Sequence, residues 1–193
     1  MKALLLDADG VVLGKGEYFS IHLARVQGVP EETVTEFFRK EYLLCQAGKA
    51  DLKEVIEPYL EKWNWESGVE ELLSYWFELD FTINETLSLQ VKELRQKGVE
   101  CFMASNNEQY RAEYIQKVLE EKDVLDGFFF SSRLGVSKSD PKFFEAVLQE
   151  LNLPGEEVCF VDNEEKNLAA ARAAGIESYL FSEDLLEALI KKV

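Results

Sequence analysis

Residues 2–12 read Lys-Ala-Leu-Leu-Leu-Asp-Ala-Asp-Gly-Val-Val, and the carboxylates of Asp7 and Asp9 constrain this chain more than any other feature. The apolar run before them has strand character, and on an extended backbone residues i and i+2 point to the same side. Asp7 and Asp9 therefore converge at one strand tip. Two carboxylates brought together away from water need a cation or a proton between them. Gly10 permits a sharp turn directly afterwards. A strand that simply ends in a polar turn uses the same residue types. What the other strands deliver to the same place decides between the two.

The 193 residues hold 37 acidic and 21 basic side chains, a formal charge of −16. That field repels nucleic acid and anionic membrane surfaces, and no basic stripe opposes it. An anion site in such a chain must supply its own local positive charge. A hydrophobic content of 47% marks a globular chain with a substantial core. The apolar runs are too short to span a bilayer, and the first of them is too short for a signal peptide, so a cytoplasmic location is expected. Cys45, Cys101 and Cys159 are an odd number, and the last two fall in expected strands, as buried thiols in a reducing compartment would. His22 is the single histidine, which excludes histidine-based triads and histidine-rich metal centres.

Between residues 15 and 84 the pattern is helical, with helices expected over 18–27, 31–46, 52–63 and 67–77. Pro30-Glu31-Glu32 opens one of them, and Asp51-Leu-Lys-Glu54 resembles a capping box. Twelve aromatic residues and all three tryptophans lie here, consistent with the core of a small helical bundle. From residue 86 helices alternate with short strands: helices over 86–97, 109–122, 141–151 and 165–174, strands over 99–104, 127–130, 158–161 and 177–181, and a terminal helix. With residues 3–6 this makes five strands joined by helices, an α/β chain whose parallel sheet is covered on both faces. The helical stretch interrupts that rhythm just after the first strand. The expected organisation is a parallel-sheet core of residues 1–13 and 85–193, with residues 14–84 inserted as a helical cap. Ligands of open α/β sheets bind at the carboxyl ends of the strands, where such an insertion forms a lid.

Four strand ends carry polar groups suited to one task. The first offers Asp7 and Asp9. The second, Cys101-Phe-Met-Ala-Ser105-Asn106-Asn107, offers a hydroxyl and a helix N-terminus that favours an anion. The loop Leu134-Gly-Val-Ser-Lys138-Ser-Asp140-Pro141 offers a lysine, and Cys159-Phe-Val-Asp162-Asn163-Glu164 offers more oxygen donors. Taken singly, Ser105, Asn106, Asp162 and Asn163 read equally well as helix caps, Lys138 as a solvated lysine, and Asp140 most simply as the cap of the helix that Pro141 begins. Capping does not explain their joint arrival at one sheet edge.

In these segments the chain resembles the haloacid dehalogenase-like hydrolase superfamily, largely phosphatases with a Rossmann-like core and a mobile cap. The likeness runs over nearly the whole chain. Asp7-Ala-Asp9-Gly-Val is similar to the Asp-x-Asp-Gly-Thr/Val signature; Ser105 falls on the second motif's hydroxyl, Lys138 on the third motif's lysine, and Asp162-Asn163 on the fourth motif. The resemblance implies sheet order 5-4-1-2-3 and a Mg2+-dependent phosphatase acting on a small phosphorylated metabolite. Asp7 would be the nucleophile that forms an aspartyl-phosphate, and Asp9 the general acid and base. Ser105, the Asn106 N–H and Lys138 would hold phosphoryl oxygens. The Asp7 side chain, the Asp9 carbonyl, Asp162 and Asn163 would hold Mg2+. Many relatives have an aspartate where this chain has Asn163, which implies weaker metal binding.

Three other readings remain. A 2-haloacid dehalogenase uses the nucleophilic aspartate without Mg2+ and typically lacks an acid at the position of Asp9. A sugar phosphomutase carries a cap histidine, but His22, thirteen residues past Asp9, is out of register with that pattern. A decayed binding or regulatory protein is supported only by Asn163. Substrate choice is expected from cap residues facing the core, with Lys15, Tyr18, Arg39, Tyr42 and Lys49 as candidates.

Overall fold

The computed structural model describes residues 1–14 and 16–192; Lys15, one of the specificity candidates, lies outside the described residues. Five parallel strands, β1 (Ala3–Leu6), β2 (Glu100–Ser105), β3 (Gly127–Phe130), β4 (Val158–Asp162) and β5 (Glu177–Leu180), form one sheet in the order β3-β2-β1-β4-β5. This is the expected 5-4-1-2-3 arrangement read from the other edge. Strand alternation assigns the two faces. Leu4 and Leu6 of β1 pack with α6 (Glu85–Gln96), α7 (Gln109–Glu121) and α11 (Leu185–Ile190), through Val91, Ile115 and Leu189 among others. Ala3 and Leu5 face α9 (Pro141–Leu151) and α10 (Glu165–Ala173), through Phe143, Phe144 and Leu168. With both faces covered, every residue of β1 is buried, and its sequence is continuously apolar for that reason.

The helical stretch comprises α1 (Phe19–Gln27), α2 (Glu31–Arg39), α3 (Glu41–Gln46), α4 (Leu52–Ile56) and α5 (Val69–Leu79), around a core of its own. Phe37 and Trp63 are fully buried in it, packed edge to face with ring centroids 5.4 Å apart. Two expected helices are shorter than their patterns suggested. The span 31–46 breaks at Lys40 (φ −124°, ψ −83°), which re-aims the second segment so that Tyr42 and Cys45 enter the core. The span 52–63 leaves α-geometry after Ile56 and continues as two 3-10 turns, the first containing Pro58. Proline lacks the N–H and clashes with the carbonyl four residues back.

The inserted stretch leaves and re-enters the sheet side by side. The Gly14 N–H donates to the Thr82 carbonyl at 2.5 Å and the Asn84 N–H to the Val12 carbonyl at 2.9 Å, while the Asn84 side chain caps α6 through the Leu87 N–H. At the other side of the site a short helix, α8 (Ser131–Leu134), follows β3 directly and was not anticipated from sequence. It receives the loop after α3: Ser131 Oγ donates to the Gln46 carbonyl at 2.6 Å.

Gly48 sits in this contact with φ +66°, and a methyl group on its Cα would stand 2.4 Å from the Ser132 carbonyl oxygen. Both its conformation and its clearance require glycine. Gly48→Ala is expected to lower stability by about 1–3 kcal/mol, read from the midpoint of urea unfolding with an unchanged slope.

Candidate active site

Parallel register brings three sequence segments to one edge. Leu6 pairs with Met103 on one side and Val161 on the other, so Asp7, Ser105 and Asp162 emerge together at the carboxyl ends of β1, β2 and β4. The Asp7 N–H extends the ladder to the Val161 carbonyl at 2.9 Å. The Asp7 side chain, 10% exposed, turns into the site and accepts from the Ala8 N–H at 2.7 Å.

Lys138 reaches the same place from the loop before α9. Its side chain is 2% exposed, and its ammonium donates to Asp7 Oδ1 and, at 2.7 Å, to Asp162 Oδ2. The loop is held by Asn106, whose Oδ1 accepts from the Lys138 N–H at 2.9 Å and from Ser137 Oγ at 3.3 Å. Burial pushes the Asp7 carboxyl up to about 7, with Asp162 pushing the same way against the pull of Lys138. Burial disfavours the ammonium, but the two carboxylates outweigh it and hold Lys138 above its ordinary value. Asp162 is fully buried, and both of its oxygens are engaged: Oδ1 by the Glu164 N–H at 2.7 Å, Oδ2 by Lys138, and both by Asn167 Nδ2 at 3.2 and 3.1 Å.

Asp9 has a different partner, one that sequence reading missed. Arg111, on α7, grips it with both terminal nitrogens, Nη1 to Oδ2 at 2.8 Å and Nη2 to Oδ1 at 2.6 Å. Arg111 Nη1 also donates to Asn107 Oδ1 at 2.7 Å, and Asn107 Nδ2 donates to Ser105 Oγ at 2.7 Å. One hydrogen-bonded chain thus runs from the first motif to the second. Burial opposes ionisation of Asp9, but the Arg111 guanidinium outweighs it and holds the carboxyl below its ordinary value. A sequence signal for Arg111 existed: it lies four residues before buried Ile115 on the same helix face, where an arginine needs a buried partner.

Ser105 and Asn106 do not cap α7; Glu108 does, accepting from the Tyr110 and Arg111 N–H groups at 2.8 and 2.5 Å. Asp140 caps α9 through the Lys142 N–H at 3.0 Å, as its sequence context implied. Asn163 Nδ2 donates to the Asp9 carbonyl at 2.8 Å, and a methyl group on Gly10 (φ +79°) would come within 2.6 Å of that nitrogen. Gly10 is therefore required both for its conformation and for this close approach.

These groups line a cavity of about 330 Å³ that Asp7, Asp9, Ser105, Asn106, Lys138 and Asn163 share. A larger depression of about 800 Å³ lies near the start of β2, around Glu100 and Arg95, and contains none of them. The donors suit a hard cation. Asp7 Oδ2 accepts no hydrogen bond among the described residues, and the Asp9 carbonyl and the Asn163 amide add neutral oxygens. Three carboxylates against Lys138 and Arg111 leave one net negative charge, and among the described residues no set of three acidic, cysteine or histidine ligands is assembled. That pattern fits Mg2+, which binds through one or two carboxylates and keeps several waters.

The sequence pattern of haloacid dehalogenase-like hydrolases matches residues 1–175. The chain belongs to that family. It is 30% identical over 95 residues to a sesquiterpene phosphatase of Aspergillus oryzae, covering 49% of this chain and 48% of that one. It is 23% identical to a phosphorylated carbohydrates phosphatase of Thermotoga maritima over 92% of this chain and 83% of that one. The chain thus spans about half the length of the first of these relatives and most of the second. In structure it is similar to a family enzyme from Bacteroides thetaiotaomicron in complex with magnesium and inorganic phosphate, with a TM-score of 0.78, 21% identity and 95% of each chain covered. Among the described residues no helix of this family member is long and apolar enough to cross a membrane.

Removing the Lys138 charge should expose its role. In Lys138→Met, Asp7 and Asp162 would face each other without a cation, and the folded-state value of Asp7, already about 7 against 3.8 ordinarily, would rise further. The folded protein then holds a proton that the unfolded chain has released. Stability is retained below pH 4 and lost as pH rises through the folded-state value. The expected loss is about 3–5 kcal/mol at pH 8 and much less at pH 5, measured by urea unfolding at both.

Proposed function

We propose that this hydrolase is a phosphatase that cleaves a small phosphorylated metabolite through a phosphoryl group carried on Asp7. The observation that supports it best is the pairing of Asp7 with Asp9 at a cavity also lined by Ser105, Asn106 and Lys138. Phosphoryl transfer needs an in-line nucleophile and neutralisation of three equatorial oxygens. In this reading Asp7 attacks phosphorus through one carboxylate oxygen while the other faces the cation, and Lys138 orients the carboxylate and offers its remaining N–H to the phosphoryl group. Ser105 Oγ and the Asn106 N–H hold the other oxygens. Asp9 protonates the departing alkoxide and then takes a proton from the water that cleaves the acyl phosphate. Arg111 favours the ionised, base form of Asp9, which suits the second half-reaction; an approaching phosphoryl dianion favours the protonated form needed in the first.

Asp7, the Asp9 carbonyl and Asn163 would hold Mg2+, with Asp162 contributing charge from behind Lys138. The ion would neutralise phosphoryl charge and orient the group for attack. We further propose the division into a core of residues 1–13 and 85–193 and a cap of residues 14–84; the paired backbone bonds at Gly14–Thr82 and Val12–Asn84 and the separate aromatic core support it. Asp9 favours the phosphatase over the dehalogenase reading. His22 bonds Tyr75 Oη and Glu17 within the helical stretch, which favours a structural role over that of a mutase histidine. The two relatives described above are named for different substrates, a sesquiterpene and phosphorylated carbohydrates, so resemblance alone does not choose the leaving group.

Purified protein is expected to hydrolyse phosphomonoesters near neutral pH with Mg2+ and to lose turnover with a chelator. Asp7→Asn should remove turnover while leaving the melting temperature within a few degrees, because an amide forms no acyl phosphate. Wild-type turnover by that variant, or metal-independent release of halide from a 2-haloacid, would refute the assignment.

Asn163→Asp replaces the donor to the Asp9 carbonyl with a further carboxylate in the site. Without metal, the variant should melt lower than wild type. Added Mg2+ should raise its melting temperature at lower concentration than in wild type, since the site gains a charged oxygen. Equal Mg2+ midpoints in a thermal-shift titration would remove Asn163 from the metal site.

A further inference from the structure

A second cavity, of about 280 Å³, opens from the first toward the helical stretch, and Asp9, Tyr18, Gln46 and Asn163 border both. It begins beside the proposed proton donor, where the oxygen of a leaving alcohol would emerge. Its far wall is aromatic. Phe19 and Trp76 lie parallel, with centroids 5.1 Å apart, and Phe38 stands edge-on to Trp76 at 5.1 Å. Tyr18 borders the cavity and is 71% exposed.

The charged and amide side chains on this wall are already paired, whereas the hydroxyls of Tyr18, Ser20, Tyr42 and Thr82 make no hydrogen bond among the described residues. Arg111 is committed to Asp9 and Asn107. Gln46 Nε2 donates to the Asn106 carbonyl at 2.8 Å, Asp80 Oδ2 accepts from Trp76 Nε1 at 2.7 Å, and Glu17 is bound by Arg25 and His22. A polyhydroxylated leaving group could pair with those hydroxyls only in part, and each of its own left facing Phe38 or Trp76 carries a desolvation penalty. A second anionic group would meet Asp9, Glu17 and Asp80, with Arg111 the only cation lining the cavity among the described residues and already paired.

We propose that this cavity is the leaving-group site and that it selects phosphate esters of neutral, apolar alcohols over sugar phosphates. The proposal rests on the phosphatase reading and names its substrate class. The alcohol's carbon skeleton lies against Phe38, Trp76 and Tyr18 while its oxygen stays within reach of Asp9. The phosphoryl group remains with Lys138 and Ser105. Selection comes from burial of carbon, not from directed hydrogen bonds.

The test uses primary-alcohol esters, which keeps their reactivity comparable: ethyl, butyl, hexyl and cyclohexylmethyl phosphate against glycerol 3-phosphate and glucose 6-phosphate. kcat/KM is expected to rise about fourfold for each buried methylene until the cavity is filled. Hexyl phosphate should exceed glucose 6-phosphate, which has the same number of carbons, by about a hundredfold or more. Phe38→Ser should reduce that ratio at least tenfold, and Tyr18→Ser, at an exposed position where folding is not at stake, should reduce it in the same direction. Equal or better use of glucose 6-phosphate would overturn the proposal and leave the phosphatase reading intact. Failure of every ester would refute the phosphatase reading itself. Calorimetry with free cyclohexylmethanol then decides the cavity independently: binding weakened by Phe38→Ser supports an apolar ligand, and no binding overturns it.

Discussion

The buried ammonium of Lys138 between Asp7 and Asp162 is the contact on which the rest of the site depends. Two carboxylates at adjacent strand ends repel each other in a low-dielectric setting, and the lysine is what lets the sheet edge close. Lys138 is in turn placed by the Asn106 side chain, which holds the backbone of its loop. The second, third and fourth motif segments are therefore mechanically linked before any ligand arrives. Asn167, from α10, completes the shell around Asp162, while its own Oδ1 is buried without a partner among the described residues.

Asp9 stands outside that triad and answers to Arg111. Its placement on the turn from Gly10 to Leu13 also ties it to the stem of the inserted helices, because Leu13 bridges both Asp9 and Ile83. The acid, the guanidinium and the entrance to the aromatic cavity thus share one small region. On the proposed reading, substrate choice and proton transfer would be physically adjacent, and the cavity wall would bear directly on where the leaving oxygen sits.

Much of this was legible in the residues. Continuous apolar character in residues 3–6 and 158–161 signals strands buried on both faces, and the Asp-x-Asp-Gly turn, Ser105, Lys138 and Asp162 mark the strand ends. Local rules failed where tertiary contacts set the geometry. The break at Lys40 follows from the need of Tyr42 and Cys45 to reach a core that α2 alone does not cover. Helix α8 forms where the chain turns away from β3 to meet the loop after α3. Asn106 reads as a helix cap by composition, but its side chain serves a loop 32 residues away.

Local residue patterns were enough for the parallel α/β sheet, the inserted helical stretch and the identity of the charged groups at the strand ends, because periodicity and turn chemistry act over a few neighbouring residues. How those charges are shared follows from long-range packing. Whether Asp9 faces a lysine or an arginine, and whether Asp162 is free or fully engaged, depends on distances between residues as much as 102 positions apart in the chain. The same holds for the cavity beyond Asp9. Its aromatic residues are spread across α1, α2 and α5, and no local pattern reports that their rings meet beside the carboxyl edge of the sheet.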